Sequence, residues 1–445
     1  MNAADRVEQF KKHPERSLIT LALPIILGML VQVAYNFTDT AFVGRLGVEA
    51  LAAVTFSFPV FFMLIALSNM IGLGASVLIS QAIGAKNPAK AGKIAKNAVV
   101  MSVILALVSM TLGLLFQRQL FDLLGAEASV IDLSIQYMTP LLLGTVLLSL
   151  GSTFGAILNG QGDTRTPAII QVISAVSNVI MDYVFIFVFG WGVAGAAIAT
   201  AAAFGISVVL FSIVLARHHL PVRGPMERAT QKSILSIGVP AGVAQLIMSV
   251  SWLFLNFLFA KSGTVAVAAY GIMARVDSVV FMPLFGIGAS LGTLVGMFYG
   301  AKEFPLISRV VKSALKYSLS FSLVMSALIW IFPRVILSIL TTDAEALRLA
   351  VSFMRIEVFV YPLMAIGFML GRTMMSLGTS TPFLVTTIIR SLAVTIPLAW
   401  VLIGLGYGPI SIIVSIVVAG AVSLGVSIVW YMKMMTKTRH ALSTG

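Results

Sequence analysis

"VQVAYNFTDTAFVGRLG", residues 31–47, is apolar enough to cross a membrane yet carries Asp39 in its middle. A carboxylate in hydrocarbon costs roughly 3 kcal/mol on insertion scales. Either this segment is not a membrane helix, or the acid has a task there. Composition answers the first half of the question. Hydrophobic residues fill 59% of the 445 positions and charged residues only 10%, whereas a soluble domain averages about 25% charged. Mean hydropathy is +1.03. The chain therefore reads as an all-α polytopic membrane protein. Apolar runs between charged or Gly/Pro-rich breaks fall at 17–44, 52–82, 94–116, 130–158, 166–189, 193–216, 233–260, 265–299, 307–331, 345–375, 382–404 and 409–434. These twelve runs each meet the length of about 20 residues that a bilayer requires, and the longer ones imply tilted or kinked helices.

Several function classes drop out at once. There is no cysteine, and the four histidines, His13, His218, His219 and His440, lie in expected loops or tails. Disulfides, thiolate metal sites and intramembrane histidine ligation are excluded, and no cofactor is expected. No small-residue cleavage site follows the charged residues 1–17, so a cleaved leader is not expected. Without a GxxxxGK[ST] phosphate loop, ATP drive would need another protein. The net charge of +13 could suggest nucleic acid, but its distribution argues against that. With both termini cytoplasmic, Arg6, Lys11, Lys12 and Arg16 share a side with Lys86, Lys90, Lys93 and Lys96. That side then holds roughly four times the Lys and Arg of the other, as the positive-inside rule requires. The basic balance reports topology in a cell membrane, not a nucleic-acid partner.

A shift of 216 positions aligns "GVEALAAV" (47–54) with "GTVAVAAY" (263–270), and "IGAK" (83–86) with "YGAK" (299–302). With one deletion, "GQGDTRTP" (160–167) falls on "SLGTSTP" (376–382). The chain is two copies of one unit. Each copy holds six spans, an even number, so the copies run parallel about an axis along the membrane normal, a transporter plan. The polar linker "RHHLPVRGPMERATQK" (217–232) separates an N-lobe, 1–216, from a C-lobe, 233–445. The basic stretches after "GAK" in both copies read as short amphipathic helices on the membrane surface.

The repeat is an internal control, since residues kept in both copies report shared architecture. Asp39 falls on Leu255 and Asp182 near Pro397, so these acids belong to the N-lobe alone. At 1.5 Å of rise per residue, Asp39 lies roughly 8 Å and Asp182 roughly 10 Å from the outer ends of their spans. Tyr35 is one turn from Asp39 and Asn178 one turn from Asp182, so each pair shares a helix face. Tyr137 and Thr200 reach a similar level from neighbouring spans. Two carboxylates in low dielectric disfavour double ionisation, so one site can hold a proton, a cation or neither. The oxygens of Asn178 and Thr200 suit Na⁺ beside Asp39 and Asp182, while the tyrosines can donate to a carboxylate. The plainer reading is that the acids only hydrogen-bond neighbouring helices, and that Tyr35, Tyr137 and Thr200 only pack. In the C-lobe, Arg275 with Asp277, Arg355 with Glu357, and Arg390 read as ion pairs within the lobe, with a gating role as the alternative. Pro24 matches Pro240 under the shift, and a proline inside a membrane helix is either a fixed kink or a hinge.

With "PIILGMLVQVAYNFTDTAFVGRLG", the "GAKN" turn, "LNGQGDTRTP" and "SNVIMDYVF", the chain resembles the multidrug and toxic compound extrusion (MATE) family over essentially its whole length. Acids in the first and fifth spans resemble its DinF-like prokaryotic branch. The resemblance implies a V-shaped pair of six-helix bundles and a cation-coupling network of Asp39, Asn178, Asp182 and Thr200. It places Tyr35, Tyr137 and Gln32 beside that network and makes Pro24 the bending point of the first helix. It further implies a monomeric, multi-pass antiporter of the inner membrane that exchanges H⁺ or Na⁺ for lipophilic, often cationic, drugs. A lipid or glycan flippase shares the repeat plan, but a polyanionic cargo favours basic residues, and the N-lobe spans offer acids. A membrane enzyme would need a nucleophile or metal constellation that the sequence does not supply.

Overall fold

In hydrocarbon a peptide group finds no water, so a spanning segment must satisfy its own backbone, and among single segments only the helix does so. The structure, a computed structural model, describes residues 3–123, 125, 127–217 and 226–443. Most of the expected linker, with His218, His219 and Arg223, lies outside the described residues, as does the side chain of His440. The helices are α1 (Ala3–Lys12), α2 (Pro14–Gly44), α3 (Val48–Gly84), α4 (Pro88–Leu123), α5 (Ala128–Leu143), α6 (Thr145–Gly160), α7 (Arg165–Tyr183) and α8 (Gly192–Arg217). The second copy supplies α9 (Arg228–Lys261), α10 (Thr264–Gly300), α11 (Phe304–Ile331), the short α12 (Pro333–Ser338), α13 (Ala344–Glu357), α14 (Val360–Ser376), α15 (Thr381–Ile388), α16 (Ile396–Gly404) and α17 (Ile410–Ser443). Two π-helical turns, Val184–Val188 and Ile389–Thr395, prolong α7 and join α15 to α16.

Ten of these stretches are long and apolar enough to span, and α5 with α6, and α13 with α14, make two more, bent by 47° and 48°. Twelve spans result, as the hydropathy pattern predicts. The repeat is written in the backbone as well. Left-handed residues recur 216 positions apart: Gly47 and Gly263, Lys86 and Lys302, Gly162 and Gly378, Gly190 and Gly406, Gly192 and Gly408. Lys86 and Lys302, at φ 54° and 59°, close α3 and α10 with the same pair of bonds. Asn87 N–H reaches Ala82 O at 2.9 Å and Glu303 N–H reaches Phe298 O at 2.8 Å, the six-to-one bond that ends a helix on a left-handed residue. The basic stretches are therefore tight turns followed at once by α4 and α11, not separate surface helices. Lys90, Lys93 and Lys96 sit on the first turns of α4. The amphipathic helix is α1, which buries Val7 and Phe10.

The chain forms two compact units, residues 1–9 with 23–242 and residues 10–22 with 243–445. The expected boundary at 217–232 thus moves into α2 and α9, beside Pro24 and Pro240. Close packing explains the shift within the first unit. A Cβ on Gly74 would lie 2.3 Å from Ile234 O, and one on Gly238 would lie 2.3 Å from Met70 O, so α3 and the start of α9 cross backbone to backbone. Glu227, just ahead of α9, accepts from Lys93 Nζ at 2.9 Å and from Thr230 Oγ1 at 3.1 Å. Its backbone N–H donates to Asn97 Oδ1 at 3.3 Å. Two further pairs in this unit hold α1, Arg6 to Asp163 at 3.3 Å and Glu8 to Lys86 at 3.1 Å. In the second unit, Lys11 pairs with Glu303 at 3.1 Å and Glu15 with Arg309 at 2.9 Å, tying residues 10–22 to the turn and first helix that follow α10.

Gly238→Ala should lower thermal stability in detergent by about 1–3 kcal/mol through overpacking. Gly425→Ala, where a Cβ meets nothing within 4 Å, should be neutral or slightly stabilising. The hydrogen bond from Lys93 and then that from Thr230 hold the Glu227 carboxyl below the usual range. A depressed acid contributes stability above its unfolded pKa and loses it as pH falls through the folded value. The melting-temperature gap between wild type and Glu227→Gln should therefore be present at neutral pH and shrink on acidification.

Candidate cation site

The first unit gathers its polar residues along three helix faces. On α7, Gln171, Ser174, Asn178 and Asp182 follow one another at spacings of three or four and line a single stripe. On α2, Gln32, Tyr35 and Asp39 do the same, and α8 adds Thr200. Gln171 Nε2 donates to Gln32 Oε1 at 2.9 Å. The approach needs Gly28, because a Cβ there would stand 2.6 Å from Gln171 Oε1. Ser174 Oγ donates to Ala203 O at 2.8 Å and fastens α7 to α8. Higher up, Phe42 meets Phe187 edge-on at 5.6 Å and Tyr183 at 6.5 Å, which seats the end of α2 on the π turn after Asp182. That turn is itself braced by α8, since a Cβ on Gly195 would lie 2.8 Å from the Phe185 carbonyl. Single π turns inside α-helices are frequent at functional sites.

Asp39 is 9% exposed and Asp182 fully buried, and Asn178, Thr200 and Tyr137 are buried with them. Tyr35 is half-buried. Asp39, Asp182, Tyr35 and Tyr137 lie within electrostatic reach of one another. With the Asn178 amide turned to satisfy both its ends, its nitrogen donates to Asp182 Oδ2 at 3.1 Å and its oxygen accepts from the Thr200 backbone N–H at 3.3 Å. Such an amide orientation is fixed by the hydrogen-bond network. Oδ1 of Asp39 and Oδ1 of Asp182 are buried without a hydrogen-bond partner. A buried carboxylate oxygen left unpaired is costly, so the pocket has room in its chemistry for a proton or a small cation. The structure thus brings together Asp39, Asp182, Asn178 and Thr200 with both tyrosines. Gln32 sits one layer away, bonded to Gln171. Pro24 lies in an unbroken α2. Gln171 and Ser174 escaped the sequence reading, although their spacing from Asn178 already places them on its face. Among the described residues no three His, Cys, Asp or Glu side chains are placed to hold a metal ion.

The second unit departs from expectation. Arg275 and Arg355 are exposed and form no ion pair with Asp277 or Glu357. Adjacent or near-adjacent residues on a helix point to different sides, which is why Arg275–Asp277 and Arg355–Glu357 cannot close. Asp277 instead accepts from Tyr361 Oη at 2.7 Å. Glu357 is 4% exposed with Oε2 unpartnered. Arg390, in the π turn between α15 and α16, lies against Met364 Sδ.

A model of the MatE family matches this chain twice, at residues 24–184 and 240–401. The two matches begin 216 residues apart, at Pro24 and Pro240. "Probable multidrug resistance protein YoeA" of Bacillus subtilis (strain 168) is 29% identical over 411 residues, covering 89% of each chain. The "FAD transporter" of Shewanella oneidensis (strain ATCC 700550 / JCM 31522 / CIP 106686 / LMG 19005 / NCIMB 14063 / MR-1) is 30% identical over 346 residues, covering 75% of this chain and 76% of its own. A crystal structure of MATE in the bent conformation superposes with a TM-score of 0.92 at 26% identity, over 98% of this chain and 99% of the other. Matched in both of its copies and over nearly its full length, the chain belongs to the MatE family and is a multi-pass membrane transporter, not an enzyme.

Proposed function

We propose that the chain is a secondary antiporter of the cytoplasmic membrane, with both termini cytoplasmic, that exports lipophilic and often cationic drugs in exchange for H⁺ through Asp39 and Asp182. The observation that carries this reading is the pair of buried carboxylates, each with an unpartnered Oδ1, enclosed in one unit of a twelve-span transporter. With Asn178 donating to Asp182 Oδ2 and its oxygen engaged by Thr200 N–H, the oxygens left for an ion are the two of Asp39, Oδ1 of Asp182 and the Thr200 hydroxyl. So small a donor set favours a proton over a metal ion. Na⁺ bound by Asp39, Asn178, Asp182 and Thr200 is the second reading, and it requires the amide to turn its oxygen into the site.

In the cycle, protonation from outside neutralises the pair and weakens the hold on a cationic drug, which leaves. Return of the proton to the cytoplasm restores the charge and the affinity. Drug and proton binding must then be reciprocally linked. The membrane potential supplies about 2.3 kcal/mol per charge per 100 mV, besides the chemical gradient. Tyr35 and Tyr137 can donate to the ionised carboxylates, and Pro24 gives α2 a place to bend as the pair changes charge. No cofactor enters this cycle, and the transporter acts as a monomer.

Norfloxacin or dye efflux should be measured in inverted vesicles under an imposed pH gradient and, separately, an imposed Na⁺ gradient. Asp39→Asn and Asp182→Asn, at matched expression, should each slow gradient-driven efflux on the order of tenfold or more, the range of ordinary coupling free energies. Efflux driven by the pH gradient alone selects H⁺, and efflux driven by Na⁺ alone selects the second reading. Undiminished efflux in both variants rejects the site.

A further inference from the structure

The second unit holds two arginines inside its spans that the coupling reading does not use. Met364, Phe368 and Arg372 recur every fourth residue on α14 and share one face. Phe285 of α10 meets Phe368 edge-on at 5.0 Å, and Phe383 of α15 meets it at 6.4 Å. Arg390 lies against Met364 and the Arg372 guanidinium over Phe368, so the two groups mark positions four residues apart on α14, roughly 6 Å along its axis. All six side chains are half-buried, belonging neither to the sealed core nor to a fully exposed face. No carboxylate pairs with Arg372 or Arg390 among the described residues, and Arg372 Nε is buried without a partner.

An arginine four residues from a helix end ordinarily snorkels outward to the interface. Arg372 does the reverse. Its guanidinium lies 5.4 Å from the centre of the Phe368 ring, one turn deeper into the span. This fold-back makes it part of an aromatic face. Aromatic edges accept a planar ring, and a guanidinium binds the oxygens of carboxylate or phosphate with two parallel hydrogen bonds.

We propose that this face of the second unit binds aromatic anions, with a planar ring against Phe285, Phe368 and Phe383 and its carboxylate or phosphate on Arg372 and Arg390. The proposal deepens the export reading by naming a further class of cargo, and rests on that reading only for transport. Binding is tested without it, in purified full-length protein with no ion gradient, so the outcome does not depend on whether Asp39 and Asp182 couple.

The probes are riboflavin 5′-phosphate and riboflavin, the same ring with and without the anion, followed by quenching of flavin fluorescence. Wild type should bind the phosphate more tightly than riboflavin. Arg372→Gln and Arg390→Gln should each weaken the phosphate on the order of tenfold, the value of one charge-assisted hydrogen bond, and leave riboflavin unchanged. Arg390→Lys, which keeps the charge, should retain the preference for the phosphate, and Arg275→Gln, which removes an exposed charge of the same unit, should have no effect. Equal affinity for the two flavins in wild type, or full phosphate affinity in both glutamine variants, overturns the proposal. So does loss of riboflavin binding together with phosphate binding in every arginine variant, Arg390→Lys included, because that reports damaged packing and not a lost anion contact.

Discussion

A membrane span has no solvent with which to settle its polar groups. The backbone answers by becoming helix throughout, and a side chain must find a partner, reach the interface or carry a function. Helices satisfy their own backbones, so what remains to hold them together is close approach and the few polar contacts between faces. The Gly74–Gly238 crossing and the Gly195 contact with the π turn supply the first. The Gln171–Gln32 and Ser174–Ala203 bonds supply the second. These contacts place α2, α7 and α8 closely enough that acids from two of them share one pocket.

The two copies keep their scaffold and differ in their charges. Left-handed residues recur at the same separation, and both copies bend one span by nearly the same angle. The register slips by one residue between the "GQGDTRTP" and "SLGTSTP" turns and is restored by Gly406. The π turn Ile389–Thr395 lies in between, and a wider turn is how a helix absorbs an extra residue. Against that shared frame, the first unit buries Asp39 and Asp182 with an unpartnered Oδ1 on each. The second sets Asp277 and Glu357 beside Tyr361, lays Arg372 over Phe368 and holds Arg390 against Met364. On the proposed reading, divergence of charge on a duplicated frame assigns the ion to one unit and offers different chemistry to cargo in the other.

Much of this was legible in the residues alone. Twelve spans, the 216-residue repeat and the singularity of Asp39 and Asp182 all follow from hydropathy and self-alignment, because hydrocarbon penalises polar residues wherever the chain folds. The polar stripe on α7 was legible too, though Gln171 and Ser174 were passed over. Proximity in sequence misled at Arg275–Asp277 and Arg355–Glu357, since residues two apart on a helix face different ways. The basic stretches after "GAK" gave amphipathic signals that belong to the first turns of long helices.

The sequence by itself determined that the chain spans a membrane twelve times in two copies of one repeat, and that only the first copy carries acids at Asp39 and Asp182. Those are consequences of transfer free energy and periodicity, which act residue by residue. The tertiary structure decided which faces meet. It moved the division of the chain into α2 and α9, because backbone crossings at glycine and ion pairs at the turns act across distant segments. It turned Asn178 toward both Asp182 and Thr200, gave Asp277 to a tyrosine in place of an arginine, and laid Arg372 back over Phe368. Each of these depends on a helix neighbour that no local pattern specifies.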